Sequence, residues 1–218
     1  MRQKLLGFFA LLVFLLIGYL RIYKSPINSV IGYILPHNPA LLGDINKYIG
    51  EPKVDTVVIL APNHQDEGGH ILTLSDDKAF VEQEYAWTIY KELFNSIDPR
   101  IEVIPYLFRR GLSVAELMNL ADTLRDKYPS DKTIFIASVD FSHNTDEKTA
   151  SEKDQITIGL IKNQNWNELI KLNSSYLDCP ECIIVFCQVT ERCNAMDKIK
   201  RLYLKETSYF FGRINLIN

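Results

Sequence analysis

The chain has 218 residues, enough for one sizeable hydrophobic core, or one domain with an appendage. Its formal net charge is −3 with histidine neutral, and no block of like charge occurs. It therefore offers no basic face for nucleic acid, and no partner of that kind is expected. Four histidines and four cysteines are the scarce chemical residues, and neither kind is spread evenly along the chain.

The first element is an uncharged run, LLGFFALLVFLLIGYL at residues 5–20, with Arg2 and Lys4 before it and Arg21 and Lys24 after it. As a helix this run reaches roughly 24 Å, and Ile22 and Tyr23 bring it close to the thickness of a hydrocarbon core. The following RIYKSPINS has no small-x-small cleavage site. Residues 1–28 are thus expected to be an uncleaved membrane anchor and linker with one transmembrane helix. A cleaved signal peptide and a buried soluble helix are the weaker alternatives. The positive N-terminus favours a single-pass arrangement with residues 29–218, an α/β domain, on the extracytoplasmic side.

Beyond the linker, residues 29–35 form a candidate strand. PALLGDINKYIG then has helical character, with Pro39 in the first turn and Gly50 as a stop. Residues 56–60 are an apolar, β-branched strand, and 70–75 alternate as an edge strand would. Residues 80–97 carry helical spacing, with Val81, Tyr85, Ile89 and Leu93 on one face. Residues 101–108 form a strand that Pro105 assigns to an edge or a bulge. Ser113 and Glu116 make a capping box opening a helix to about Asp126.

Residues 133–139 are the most apolar strand. Helical segments follow at 149–161 and 166–172, the first after the mixed-charge stretch TDEKTASEKDQ. Asp178 is a candidate cap for a helix starting at Pro180 and running to about Ala195. IKRLYLKETSYFF closes the domain as a strand. Strands alternate with helices and nothing repeats. That pattern predicts an α/β fold, a mostly parallel central sheet with helices on both faces.

Three of the four histidines follow apolar strands: His37 after SVIGYIL, His64 after TVVILAP, and His143 after TIFIASV. Parallel strands bring their carboxyl ends to one edge of a sheet, where ligands of open α/β folds bind. The three imidazoles are therefore expected to converge on a transition-metal site, neutral imidazole being the commonest protein metal ligand. Two histidines with a carboxylate suit non-haem iron, whereas a thiolate favours copper(I). Asp140 can orient an imidazole or accept a proton. Cys179, at a helix start that favours a thiolate, is a candidate further ligand, with Asp178 and Glu181 beside it as oxygen ligands of the same kind. Asp66 and Glu67 read first as a solvent-facing turn, and His70 as structural. A Cys179–His143 nucleophilic pair is a lesser alternative.

Cys179, Cys182, Cys187 and Cys193 fall within fifteen residues. The single C-x-x-C does not support a zinc ribbon. On one helix a disulfide between them is geometrically awkward, so most are expected to be small buried apolar residues. No dinucleotide, P-loop or nucleophile-elbow motif occurs.

The order Pro36-His37, APNH at 61–64, SVDFSH at 138–143, and the segment around Cys179 resembles the Memo family, whose prokaryotic members are called AmmeMemoRadiSam system protein B. The resemblance covers residues 31–211. It includes EKD at 152–154 and YLKETSYF near the C-terminus, while PHNPA stands where the family usually has PHAGY. It implies a fold like the LigB-type class III extradiol dioxygenases. It also implies His37, His64 and Cys179 as metal ligands, His143 with Asp140 as the catalytic pair, and iron or copper as the metal. The expected function is a membrane-anchored metalloprotein, a non-haem iron oxidoreductase of dioxygenase type. Its partners would be the membrane through the N-terminal helix and a small molecule or peptide in the pocket. A non-catalytic binding module and a copper or iron chelator at the membrane are the alternatives.

Overall fold

The computed structural model describes residues 30–129, 131–191 and 200–215. The chain divides into two units, and the one formed by Ile31–Ile214 carries everything below. The other, Met1–Val30 with Asn215–Asn218, lies almost wholly outside the described residues.

In chain order the elements are β1 (Val30–Leu35), a 3-10 turn (Pro39–Leu41), α1 (Leu42–Ile49), β2 (Thr56–Pro62), β3 (Ile71–Leu72), α2 (Lys78–Val81), α3 (Tyr85–Ile97), β4 (Glu102–Phe108), α4 (Val114–Lys127), β5 (Thr133–Ser138), α5 (Glu147–Lys162), α6 (Trp166–Leu169), α7 (Pro180–Thr190), β6 (Lys200–Leu204) and β7 (Thr207–Asn215). One seven-stranded sheet runs in the order β3-β4-β2-β5-β1-β7-β6. The four strands β4, β2, β5 and β1 are parallel to their neighbours in that set. The β3–β4 and β6–β7 pairs are antiparallel. The sheet is therefore mixed, with a parallel centre and antiparallel edges, where a mostly parallel sheet was expected.

The parallel centre follows from composition. Val57, Val58, Ile59, Leu60 and Ala61 of β2 are all fully buried, and so is the whole of β5, as strands covered on both faces must be. The connection from β2 through α3 to β4 steps one way across the sheet, and that from β4 through α4 to β5 steps back. Right-handed crossovers then place α3 and α4 on opposite faces. Helix α7 packs against α4 and against β5 and β2, and is buried nearly all round, matching its apolar sequence IIVFC. Gly32 permits this approach: a Cβ there would lie 2.6 Å from the Phe186 ring.

Several sequence expectations change. No helix among the described residues is long and apolar enough to cross a membrane. The run at residues 5–20, on which the transmembrane helix and single-pass localisation rest, lies outside the described residues. The fold class is corrected to an α/β domain alone, and neither a spanning helix nor a membrane location is carried forward. The helix expected over residues 80–97 is two helices, α2 and α3, with Asp77 capping the first and Glu84 the second. The closing strand is a hairpin, turning at Lys205 and Glu206, both at positive φ. Pro105 lies opposite Ile59 in β4, where the short β3 does not reach, so on that side it faces a local edge. The capping box of Ser113 and Glu116 forms as expected.

Candidate metal centre

Strands β2, β5 and β1 are immediate neighbours, and their register aligns Leu35 with Ser138 and Leu60 with Ala137. His37, His64 and Asp140 each follow the end of one of these strands by two residues, so they emerge side by side at the carboxyl edge. The rings of His37 and His64 lie 5.0 Å apart, edge to face. His143 follows on the loop after β5, and Asp178 lies two residues before the start of α7. The loop carrying Asp178 is tied to the loop after β5. Asp140 N–H donates to Asp178 Oδ2 at 3.1 Å, and Asp178 N–H donates to the Asp140 carbonyl at 3.2 Å.

Each imidazole is held through one nitrogen. Ser138 Oγ donates to the Ala86 carbonyl at 2.6 Å, so it accepts from His37 Nδ1 at 3.3 Å. That hydrogen bond leaves His37 Nε2 as a bare acceptor, 3.3 Å from Asp178 Oδ2 and 3.5 Å from Asp140 Oδ2. Burial, aided by the neighbouring His64 ring, pushes His37 down to about 3, so at neutral pH these contacts are not ion pairs. His64 Nδ1 is 2.9 Å from Glu84 Oε1, and the His64 backbone N–H donates to Glu84 Oε2 at 3.0 Å. Burial would raise Glu84, but the His64 and Ala86 hydrogen bonds outweigh it and hold the carboxyl below its usual range. Such a carboxylate fixes His64 as an Nδ1–H donor and directs Nε2 outward. Tyr85 stacks on the His64 ring at 4.8 Å, and its hydroxyl lies 3.3 Å from Nε2.

The carboxylates are poised unusually. Burial raises Asp140 to about 6, against the pull of His143 and the His37 backbone N–H. Burial, then the charge of Asp140, raises Asp178 well above its ordinary value. Asp178 Oδ1 and His143 Nε2 are buried and have no hydrogen-bond partner. A lone pair on neutral His37 facing two crowded carboxylates, with two orphaned polar atoms beside them, is costly in a protein alone. A cation held by His37, His64 and Asp178 would relieve the crowding around His37 Nε2. The donor set fits a metal: His37, His64 and Asp178 offer one ligand atom each, all within 4.8 Å of one another.

Cys179 is not available for the ligand role first expected of it. It forms a disulfide with Cys182, and among the described residues no cysteine is free. The expectation that such a bridge would not form fails because Cys179 is not inside the helix. It is the N-cap, in non-helical backbone, and its sulfur also accepts from Cys182 N–H. Capping by Cys179 in turn releases Asp178, the expected cap, to face the histidines. His70 stands apart, its carbonyl accepting from Arg109 N–H, and Asp66 pairs with Arg109 in an exposed turn. A small pocket of about 170 Å³ adjoins the site, lined by residues that include His64, Asn63, Arg110, Asp178 and Glu181.

Glu84 and Tyr85 were not foreseen as site residues. Glu84 reads in sequence as one more charge on a helix, and only the break between α2 and α3 turns it inward, where it is 2% exposed. No protein-family model and no curated protein matches the chain.

Proposed function

We propose that the chain is a metalloprotein with a Memo-like fold in which His37, His64 and Asp178 bind a divalent first-row transition metal, iron(II) foremost, for oxidative chemistry on a small molecule. Two imidazoles and one carboxylate with open positions suit non-haem iron. With Cys179 oxidised, the soft donor that favoured copper is withdrawn. The observation that carries the reading is His37 Nε2, unprotonated and aimed at Asp178 and Asp140. Iron(II) at this place would supply a Lewis acid able to bind dioxygen and substrate together. The protein's part is to hold His64 through Glu84 and His37 through Ser138, and to present beside them a small pocket lined by Phe108 and Pro62 as well as Asn63, Arg110 and Glu181. The sequence motifs at residues 36–37, 61–64 and 138–143 support the same reading.

Metal analysis of the purified chain, loaded anaerobically with iron(II), is the test. Wild type should hold metal that His37→Ala and His64→Ala lose, and only wild type should consume oxygen with a catechol-like substrate. Equal metal in all three proteins would defeat the proposal.

A further inference from the structure

The residues at the strand ends make two ligand sets, not one. Besides His37, His64 and Asp178, the side chains of Asp140, His143 and Asp178 also offer ligand atoms within 4.8 Å of one another. Asp178 belongs to both. We propose that the centre is dinuclear, with a second divalent metal ion held by Asp140 and His143 and with Asp178 bridging the two ions. This rests on the metalloprotein reading above and extends it.

Two unpartnered atoms point to the second ion. The first is His143 Nε2, a buried nitrogen with no partner. A buried imidazole nitrogen left without a partner is a position that a metal ion can fill. The second is Asp178 Oδ1. The Asp178 side chain is 9% exposed, yet this oxygen has no hydrogen bond, while Oδ2 is engaged by Asp140 N–H and lies near His37 Nε2. A carboxylate with one oxygen towards the His37 side and one orphaned is arranged to bridge.

The family resemblance implies a proton-transfer role for His143 with Asp140. The geometry favours ligation instead, because no donor or acceptor among the described residues meets His143 Nε2, and the ring offers a ligand atom within 4.8 Å of those of Asp140 and Asp178. With both ions present, each has three protein donors and open positions, which leaves the face between them for a substrate or solvent oxygen to span. Two-metal sites with ions about 3.5–4 Å apart clamp both oxygens of a reacting group in this manner.

The experiment is a stoichiometry. The full chain, stripped with chelator, is titrated anaerobically with manganese(II) and followed by metal analysis and by electron paramagnetic resonance. Wild type should saturate at two equivalents, with the second giving the exchange-broadened signal of a coupled pair. His143→Ala should stop at one equivalent with an isolated-ion spectrum, and Asp178→Ala should lose both. Wild type that saturates at one equivalent with an uncoupled spectrum overturns the dinuclear proposal and leaves the single-metal reading intact. Wild type that binds none overturns both. The wild-type spectrum decides the matter without any variant, so a His143→Ala protein that fails to fold leaves the test standing.

Discussion

His37 shows how strongly one buried ring shapes its surroundings. In the metal-free protein its folded value of about 3 lies below the ordinary 6.5, so between those values the unfolded chain takes up a proton that the folded chain refuses. That contribution to stability is present above 6.5 and is lost as pH falls. Asp140 acts in the opposite sense: raised from 3.8 to about 6, it keeps its proton in the fold, so acidification through that window favours the folded state. Asp178, also raised, adds to the Asp140 effect. In chelator, the gain in stability from pH 7 to pH 5 should therefore be larger in His37→Gln than in wild type, by roughly 2 kcal/mol at 1.36 kcal/mol per pK unit. Urea titrations at the two pH values measure it, and equal gains would mean that His37 is not held neutral. Glu84 makes a second residue-scale case. Glu84→Gln keeps the shape and the helix cap but removes the charge that orients His64, and metal affinity should weaken by about 10–100-fold. Competition with a chromophoric chelator reads it directly, and unchanged affinity would place Glu84 outside the site's support.

Helix ends and close approaches set the site at the scale of elements. The break between α2 and α3 delivers Glu84, and the disulfide-capped start of α7 delivers Asp178. A different cap, the Ser113–Glu116 box of α4, belongs to neither ligand set. Ser113→Ala should cost about 1 kcal/mol of stability while leaving metal binding unchanged. A denaturant titration beside a metal titration checks both halves. Gly32 is the sharper test of packing. The space a Cβ would need is taken by the Phe186 ring at 2.6 Å and the Phe135 carbonyl at 3.1 Å. Gly32→Ala must push β1 or α7 aside, at a cost of about 1–3 kcal/mol. Because β1 leads directly to His37, metal affinity should fall with stability, and a variant as stable as wild type would show that this interface yields freely.

The whole molecule brings together groups far apart in the chain: His37 and Asp178 are separated by more than half its length. Holding two crowded carboxylates beside an unprotonated imidazole opposes folding unless a cation joins them, so metal and fold should be linked. A ligand that binds only the folded state at 100 times its Kd stabilises it by about 2.7 kcal/mol. The thermal midpoint should accordingly rise with added iron(II) or manganese(II) in wild type and stay put in Asp178→Ala. A rise of equal size in both would assign the stabilisation to some other site.

Much of this was legible in the sequence. Apolar strands ending in His37, His64 and Asp140–His143 imply a shared sheet edge, because parallel strands of an α/β fold must align their carboxyl ends. The capping box and the strand character of residues 56–60 and 133–138 needed only local chemistry. The third member of the proposed ligand set was not legible, since the choice between Cys179 and Asp178 turns on one residue of helix phase and on a disulfide that forms only when Cys179 takes the cap position. Glu84 was hidden for a related reason: a carboxylate inside a helical pattern looks solvent-facing until the chain breaks and turns it inward. Local sequence determined which strands form and what stands at their ends. Tertiary structure alone decided which strands are neighbours, which atoms of each ring are left bare and which carboxylates must share one buried space, because those depend on contacts between segments that no local pattern encodes.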